Sequence, residues 1–310
     1  MEWFRTNQVK HSYRIQDIYQ HCGIRKQSHY SAVKLEQKAL EKEPFYLGFI
    51  LEVRQMHPGM GLRTIYERYA PEGIGRDAFI ELGLKNGFRL KAVHKTVRTT
   101  FSVKSSRYSN LLEGKRFTDV NQIWTSDITY IKIGETTYYI VFIMDVYSRR
   151  IVGYCVADNM RAEQNIKALS MALDLRGIKD YSKNLIHHSD KGSQYISNDY
   201  TGLLDDFGIQ ISMCNIVYEN AHIERVNGVI KNQYLHHWNI TTYMQLSKKL
   251  EKAVWAYNYE KPHSSLGKLS PVEFEESLRE ISLEQRKELV IYTHSQNDDK
   301  PLDIQLNFDF

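Results

Sequence analysis

QIWTSDITYIKIGETTYYIVFIMDVYSRRIVGYCVA, residues 122–157, decides the fold. β-Branched and aromatic residues crowd it, and turn formers interrupt it at Gly134-Glu135 and at Asp145-Val146-Tyr147-Ser148. It reads as three consecutive strands, QIWTSDITYIKI, ETTYYIVFIMDVYS and RRIVGYCVA, the middle one the strongest. Downstream, AEQNIKALSMALDLRG (162–177) is an amphipathic helix closed by Gly177. NLIHHSD (184–190) is a buried strand, SNDYTGLLDDFG (197–208) a short helix capped by Ser197, IQISM (209–213) a fifth strand, and ENAHIERVNGVIKNQYL (219–235) a helix. Three strands, a helix, a strand, a helix, a strand and a helix make a mixed α/β sheet.

Upstream the pattern is helical. RIQDIYQHCGIRKQSHYSAVK reads as helix, Cys-Gly turn, helix; FYLGFILEVRQM as a further helix; MGLRTIYERYA follows the His57-Pro58-Gly59 break; GRDAFIELGLKNG ends at Asn86-Gly87. Short helices around tight glycine turns suit helix-turn-helix DNA binding. Charge favours that over a plain helical bundle. Residues 1–118 carry 21 Lys and Arg against 11 Asp and Glu; the remainder carries 20 against 26. Between Glu81 and Glu113 there is no acid, but there are Lys85, Arg89, Lys91, Lys95, Arg98, Lys104 and Arg107, a basic arm suited to a polyanion. The three cysteines are scattered, which fits a reducing compartment. There is no apolar run of the ~20 residues a membrane span needs, and no apolar leader in MEWFRTNQVKHSYR, so no membrane is expected and the cytoplasm is the expected location.

Three acids stand out. Asp127 sits inside a strand among Trp124, Ile128, Tyr130 and Ile131; Asp190 ends a strand before the Lys191-Gly192-Ser193-Gln194 turn; Glu224 lies in the last of these helices. Singly each has a structural explanation: an edge position, an Asx turn, a solvated helix face. Together they break local rules where functional sites do. Converging carboxylates repel one another unless a cation lies between them, and all-oxygen donors select Mg²⁺ or Mn²⁺. Two such ions can activate an attacking oxygen and stabilise the leaving oxygen of a phosphodiester. Lys231, seven residues after Glu224, falls on the same helix face, where a phosphate must pass.

These segments resemble a known family. WTSDITYI, HHSDKGSQY and NAHIERVNGVIK look like the three DDE motifs of transposases of the insertion sequence three family, OrfB type. DVYSRRIVGY resembles its second and third strands, and YNYEKPHSSLGKLSPVEF (257–274) its closing segment. The resemblance covers roughly residues 12–275. It implies a ribonuclease H-like (retroviral integrase-like) mixed-sheet core preceded by an all-α helix-turn-helix region. Asp127, Asp190 and Glu224 would be catalytic residues and ligands of two Mg²⁺ or Mn²⁺ ions, with Lys231 as the basic residue beyond them. Thirty-three residues separate Asp190 from Glu224, two fewer than the family usually has, and Lys261 stands where it often has Arg. The division expected is a helical segment over 1–42, a helix-turn-helix DNA-binding domain over 43–100, a basic linker over 101–118, an integrase-like core over 119–272 and an acidic tail over 273–310.

The activity implied is metal-dependent 3′ end nicking and strand transfer on terminal inverted repeats and target DNA. It further implies a homo-oligomer holding two ends and an upstream OrfA-type helix-turn-helix partner. The rivals are a ribonuclease H-like nuclease without strand transfer and a non-catalytic DNA-binding regulator. Lys91, Lys95, Arg98, Lys104, Arg107 and His263 are the candidate DNA contacts, His263 equally a loop anchor. His11, His21, Cys22 and His29 lack the second cysteine that a zinc site would want. His187 and His188 read as packed beside the sheet, Asp145 as a turn residue, Trp255 and Tyr257 as core, and Gly228 as a point of close approach.

Overall fold

From Arg25 to Leu47 the chain has no glycine and is rich in helix formers. The structure, a computed structural model, describes residues 7, 12–91, 108–178, 184–214 and 221–291. In it α1 (Ile15–His21) stops at Cys22-Gly23, with Gly23 at φ 65°. Next, α2 (Lys26–Met56) runs unbroken through the boundary expected at 42–43, with Pro44 inside it. An interior proline costs about 3 kcal/mol. The burial that offsets it comes just after: Tyr46, Ile50 and Val53 pack with Met60, Leu62, Ile65 and Phe79 from α3 (Leu62–Tyr69) and α4 (Arg76–Lys85).

This helical unit is fastened to the rest. A Cβ on Gly59 would stand 2.5 Å from the Gln233 Cα, so the α2–α3 turn touches backbone where Gly59 N–H bonds the Gln233 carbonyl at 2.8 Å. His57 bridges the Tyr234 hydroxyl (2.9 Å) and Glu260 (2.8 Å), and Arg68 clasps Glu273 through two bonds, at 2.6 and 3.0 Å.

The strands expected over 122–157 form in order, after a short β1 (Arg116–Phe117): β2 (Ile123–Ile133), β3 (Thr136–Asp145) and β4 (Ile151–Ala157). Then come α5 (Ala162–Arg176), β5 (Ile186–Ser189), α6 (Asn198–Asp206), β6 (Gln210–Met213) and α7 (Ala221–Val229). A π-helical turn, Ile230–Tyr234, continues α7; α8 (Tyr243–Tyr259), α9 (Pro271–Ser277) and β7 (Leu289–Val290) follow among the described residues. The five-stranded sheet has order β4-β3-β2-β5-β6; β2, β3 and β4 are antiparallel neighbours, while β5 is parallel to β2 and β6 to β5.

Both faces of the sheet are covered, which is why β3 is apolar without alternation. Val141 and Ile143 meet α5 and α6 on one side; Ile140, Phe142 and Met144 meet α7 and α8 on the other. Asp145 is a buried hub of the turn, accepting the backbone N–H groups of Asn121, Tyr147 and Ser148.

The segment read as a tail from 273 is folded as far as 291. Phe274, Leu278, Leu289 and Ile291 join the core cluster, and β7 pairs with β1, inside the expected linker. Trp255 is exposed and stacks on Tyr259, whereas Tyr257 is buried as expected. Gly228 faces open space, so no backbone among the described residues makes the close approach expected there. Ser197 caps α6 and Gly177, at φ 62°, ends α5, both as read. Among the described residues no helix is long and apolar enough to cross a membrane.

His187 lies buried against the Tyr200 hydroxyl at 2.9 Å. Burial, aided by neighbouring His188, pushes its pKa down to about 3. The folded state therefore resists a proton that the unfolded chain accepts near pH 6.5. Stability is full above that pH and falls below it, by up to about 1.4 kcal/mol per pH unit for each such histidine. Asp127, raised to about 8, adds stability as pH falls over the same range, so the test is a difference: between pH 6.5 and 5 the parent's melting midpoint should fall relative to that of a His187→Gln variant, and parallel profiles would refute the assignment of His187 as a buried neutral ring.

Candidate active site

Parallel pairing of β2 with β5 aligns Ser126 with Ser189. The next residues, Asp127 and Asp190, therefore leave adjacent strands side by side, at the ~4.8 Å spacing of neighbouring strands. Strand alternation fixes which face they take. Ile123 and Ile186 point into the α7–α8 core, and Asp127 and Asp190, each four residues later, share that face.

Helix α7 crosses the same face. Asn227 donates to Asp127 Oδ2 at 2.7 Å, and Lys231 Nζ reaches Thr129 Oγ1 at 3.2 Å, 4.8 Å from the centre of the Tyr130 ring. Asp127 and Thr129 are alternate residues of β2, so the helix runs along the strand. Glu224 lies one turn before Asn227, about 60° away around the helix at ~100° per residue, and so on the side turned toward the aspartates. It is exposed, while Asp127 and Asp190 are half-buried.

The loop after β5 holds Asp190 in place. Gly192 N–H donates to Asp190 Oδ1 at 3.0 Å, and a Cβ at Gly192 would sit 3.0 Å from that oxygen and 2.9 Å from Gln194 Oε1. Glycine is thus what lets the turn close on the carboxylate.

Burial, then the charge of Asp190 and more weakly that of Glu224, pushes Asp127 up to about 8, against the pull of the Ile128 N–H and Asn227. Burial also raises Asp190, opposed by the Gly192 N–H. Asp127 and Asp190, with Glu224 near enough for its charge to act on Asp127, offer carboxylate oxygens only, the donors that suit hard divalent ions. Among the described residues no three acidic, histidine or cysteine side chains already stand within reach of a single ion, so Glu224 and the aspartates would have to close on it. The donor set fits such a metal.

The other candidates lie elsewhere. Lys91 is exposed at the end of the helical unit. Lys95, Arg98, Lys104 and Arg107 fall outside the described residues, as does the end of the acidic tail. His263 is not with the carboxylates: its ring meets Tyr257 edge-on at 4.7 Å and its backbone N–H bonds Leu269. Asn227 is the addition the geometry makes, and its only sequence signal is its place one turn after Glu224.

Profiles of the integrase core domain family match residues 118–217 and 209–271. An insertion element IS600 protein of 31 kDa from Shigella sonnei is 30% identical over 269 residues, 84% of this chain and 98% of that one. The transposase for insertion sequence element IS629, also from Shigella sonnei, is 31% identical over 228 residues, 71% of this chain and 75% of its own. The InsF transposase of IS3A from Escherichia coli strain K12 is 31% identical over 201 residues, 62% of this chain and 67% of its own. Among solved structures, the HTLV-2 integrase catalytic core domain in complex with magnesium superposes with a TM-score of 0.42 at 22% identity, covering 51% of this chain and 97% of that one.

Proposed function

Because the chain belongs to the DNA transposases of the insertion sequence three family, we propose that Asp127, Asp190 and Glu224 are its catalytic carboxylates, nicking element ends at the 3′ side and joining them to another strand. The side-by-side placement of Asp127 and Asp190 under α7 is the observation that carries this. The three carboxylates would hold divalent cations, Mg²⁺ or Mn²⁺, which when bound supply Lewis acidity for attack on a phosphodiester.

The chain's own groups do the positioning. Asn227 fixes the Asp127 carboxylate and the Gly192 N–H that of Asp190. Glu224, exposed on the helix, lies on the side turned toward them. Lys231, tethered to Thr129, puts a cation farther along β2 for a neighbouring phosphate. In nicking, a water oxygen bonds to phosphorus and the 3′ oxygen of the element end leaves. In joining, that 3′ hydroxyl forms a new P–O bond as one in the target breaks, so phosphodiesters are exchanged and no energy-rich cofactor is needed.

In the same reading the helical unit and the basic stretch through Lys91 bind the terminal inverted repeats, a homo-oligomer brings two ends together, an upstream OrfA-type protein assists, and the work is done on DNA in the bacterial cytoplasm. The test is incubation of the purified chain with labelled, pre-cut element ends, a target duplex and Mg²⁺. Joined products longer than the substrate are expected. Shortened products alone would make the protein a nuclease without strand transfer.

A further inference from the structure

The face of α7 turned away from Asp127 lines a cavity of about 370 Å³ that no step above uses. His222, Arg225, Val226 and Val229 border it, against Thr64 and Arg68 of α3 and the loop from Lys261 to Lys268. It thus lies where the helical unit meets the core.

The cavity is rich in cations and short of anions. Arg68 is taken by Glu273, and Lys268 stands 3.5 Å from Glu67. Among the described residues, Arg149, Arg225 and Lys261 make no ion pair. Arg149 is only 7% exposed, and its backbone is left-handed at φ 62°, a strained conformation for arginine. It donates to His222 Nδ1 at 2.8 Å; a guanidinium has only donors, so that nitrogen accepts and the ring brings no negative charge. Burial and Arg225 push Lys261 down to about 8. His263, also on the cavity, has a buried Nε2 with no hydrogen-bond partner among the described residues. Like charges facing one cavity without a counterion repel, most at the cost of the buried Arg149, and its left-handed backbone there marks a site built for something that arrives.

We propose that this cavity is a phosphate pocket, in which Arg149, Arg225 and Lys261 grip the DNA backbone a few nucleotides from the reacting phosphodiester. The proposal rests on the transposase reading above. One helix diameter, ~10–12 Å, separates the two faces of α7, about three nucleotides at ~3.4 Å per step along a strand. A strand leaving the carboxylates around this helix reaches the pocket, which also touches α3 of the helical unit. Binding of an end by that unit and seating of the same strand at the carboxylates are thereby coupled.

The test uses the full chain and its Lys261→Gln, Arg225→Gln and double variants, with two probes: inorganic phosphate in thermal melts, and a duplex carrying an element end in binding titrations at varied salt. Phosphate is expected to raise the melting temperature of the parent but not of the double variant. Each single substitution should lower the slope of log K against log salt by about 1, the double by about 2, and Lys261→Arg should restore the parent value. Without phosphate, Lys261→Gln should melt at or above the parent, because a like-charge repulsion is relieved; a purely structural lysine gives the reverse, which would count against the pocket. An unchanged salt slope in the double variant overturns the proposal, even where phosphate stabilisation is lost, since the pocket would then hold free phosphate alone. Joining by the parent on pre-cut ends, run alongside, tells failure of the pocket from failure of the transposase reading.

Discussion

Asp127→Asn abolishes end joining: the rate on pre-cut ends falls by at least about 10³-fold, some 4 kcal/mol of transition-state stabilisation. The substitution keeps the size and planarity of the side chain and can keep a hydrogen bond with Asn227, whose amide now meets a carboxylate oxygen at 2.7 Å. It removes the one property the proposed chemistry needs there, a negative charge shared with Asp190. Burial and the charges of Asp190 and Glu224 already oppose that charge in the protein alone. The variant is therefore expected to fold at least as well as the parent in metal-free buffer and to bind element ends with similar affinity. Joining assays, melting curves and DNA binding on one preparation separate the outcomes. A variant that folds, binds and still joins at more than a tenth of the parent rate would remove Asp127 from the catalytic set.

Gly153→Ala carries the largest expected effect on stability. Gly153 lies in β4 beneath α5, and a Cβ there would stand 2.0 Å from the Ala168 carbonyl oxygen and 3.1 Å from the Ala172 Cβ. The first contact is with helix backbone, which cannot swing aside as a side chain can. α5 would have to lift from the sheet and open the cluster of Val141, Ile143, Val152, Ala168 and Leu169. Overpacking of a tight core costs about 1–3 kcal/mol and more where backbone must move. A loss of at least about 3 kcal/mol is expected, a large part of the ~5–15 kcal/mol that holds a typical domain folded. Urea unfolding measures it; a change below 1 kcal/mol would mean that α5 does not sit on β4 as closely as described.

Residue pattern made some of this legible and left the rest hidden. The strands at 122–157 show because β-formers and turn residues are local signals. The neighbour of β2 in the sheet is not local: β5 begins more than fifty residues after β2 ends, and no residue pattern places it beside β2. Asp127 announced itself as a charge among β-formers, whereas Asn227, an ordinary polar residue on a helix, is recognisable only once that helix is laid along β2. A domain boundary is expected at 42–43, but α2 runs through it and through Pro44, because the apolar face that follows has a partner in α3 and α4 and tertiary burial outweighs the local cost. The residues around 273–291 read as an acidic tail because their charge is conspicuous, yet Phe274, Leu278 and Leu289 anchor them in the core. The cavity behind α7 had no sequence signature, since it is assembled from α3, the β3–β4 turn, α7 and the loop after α8.

The central claim is that Asp127, Asp190 and Glu224 close around divalent cations. Anomalous scattering from crystals of the chain bound to an element end and soaked in Mn²⁺ tests it most directly. The expected result is manganese in contact with carboxylate oxygens of all three residues, lost in Asp127→Asn crystals treated in the same way. Manganese absent from this place, or held without Asp127 and Asp190, would contradict it.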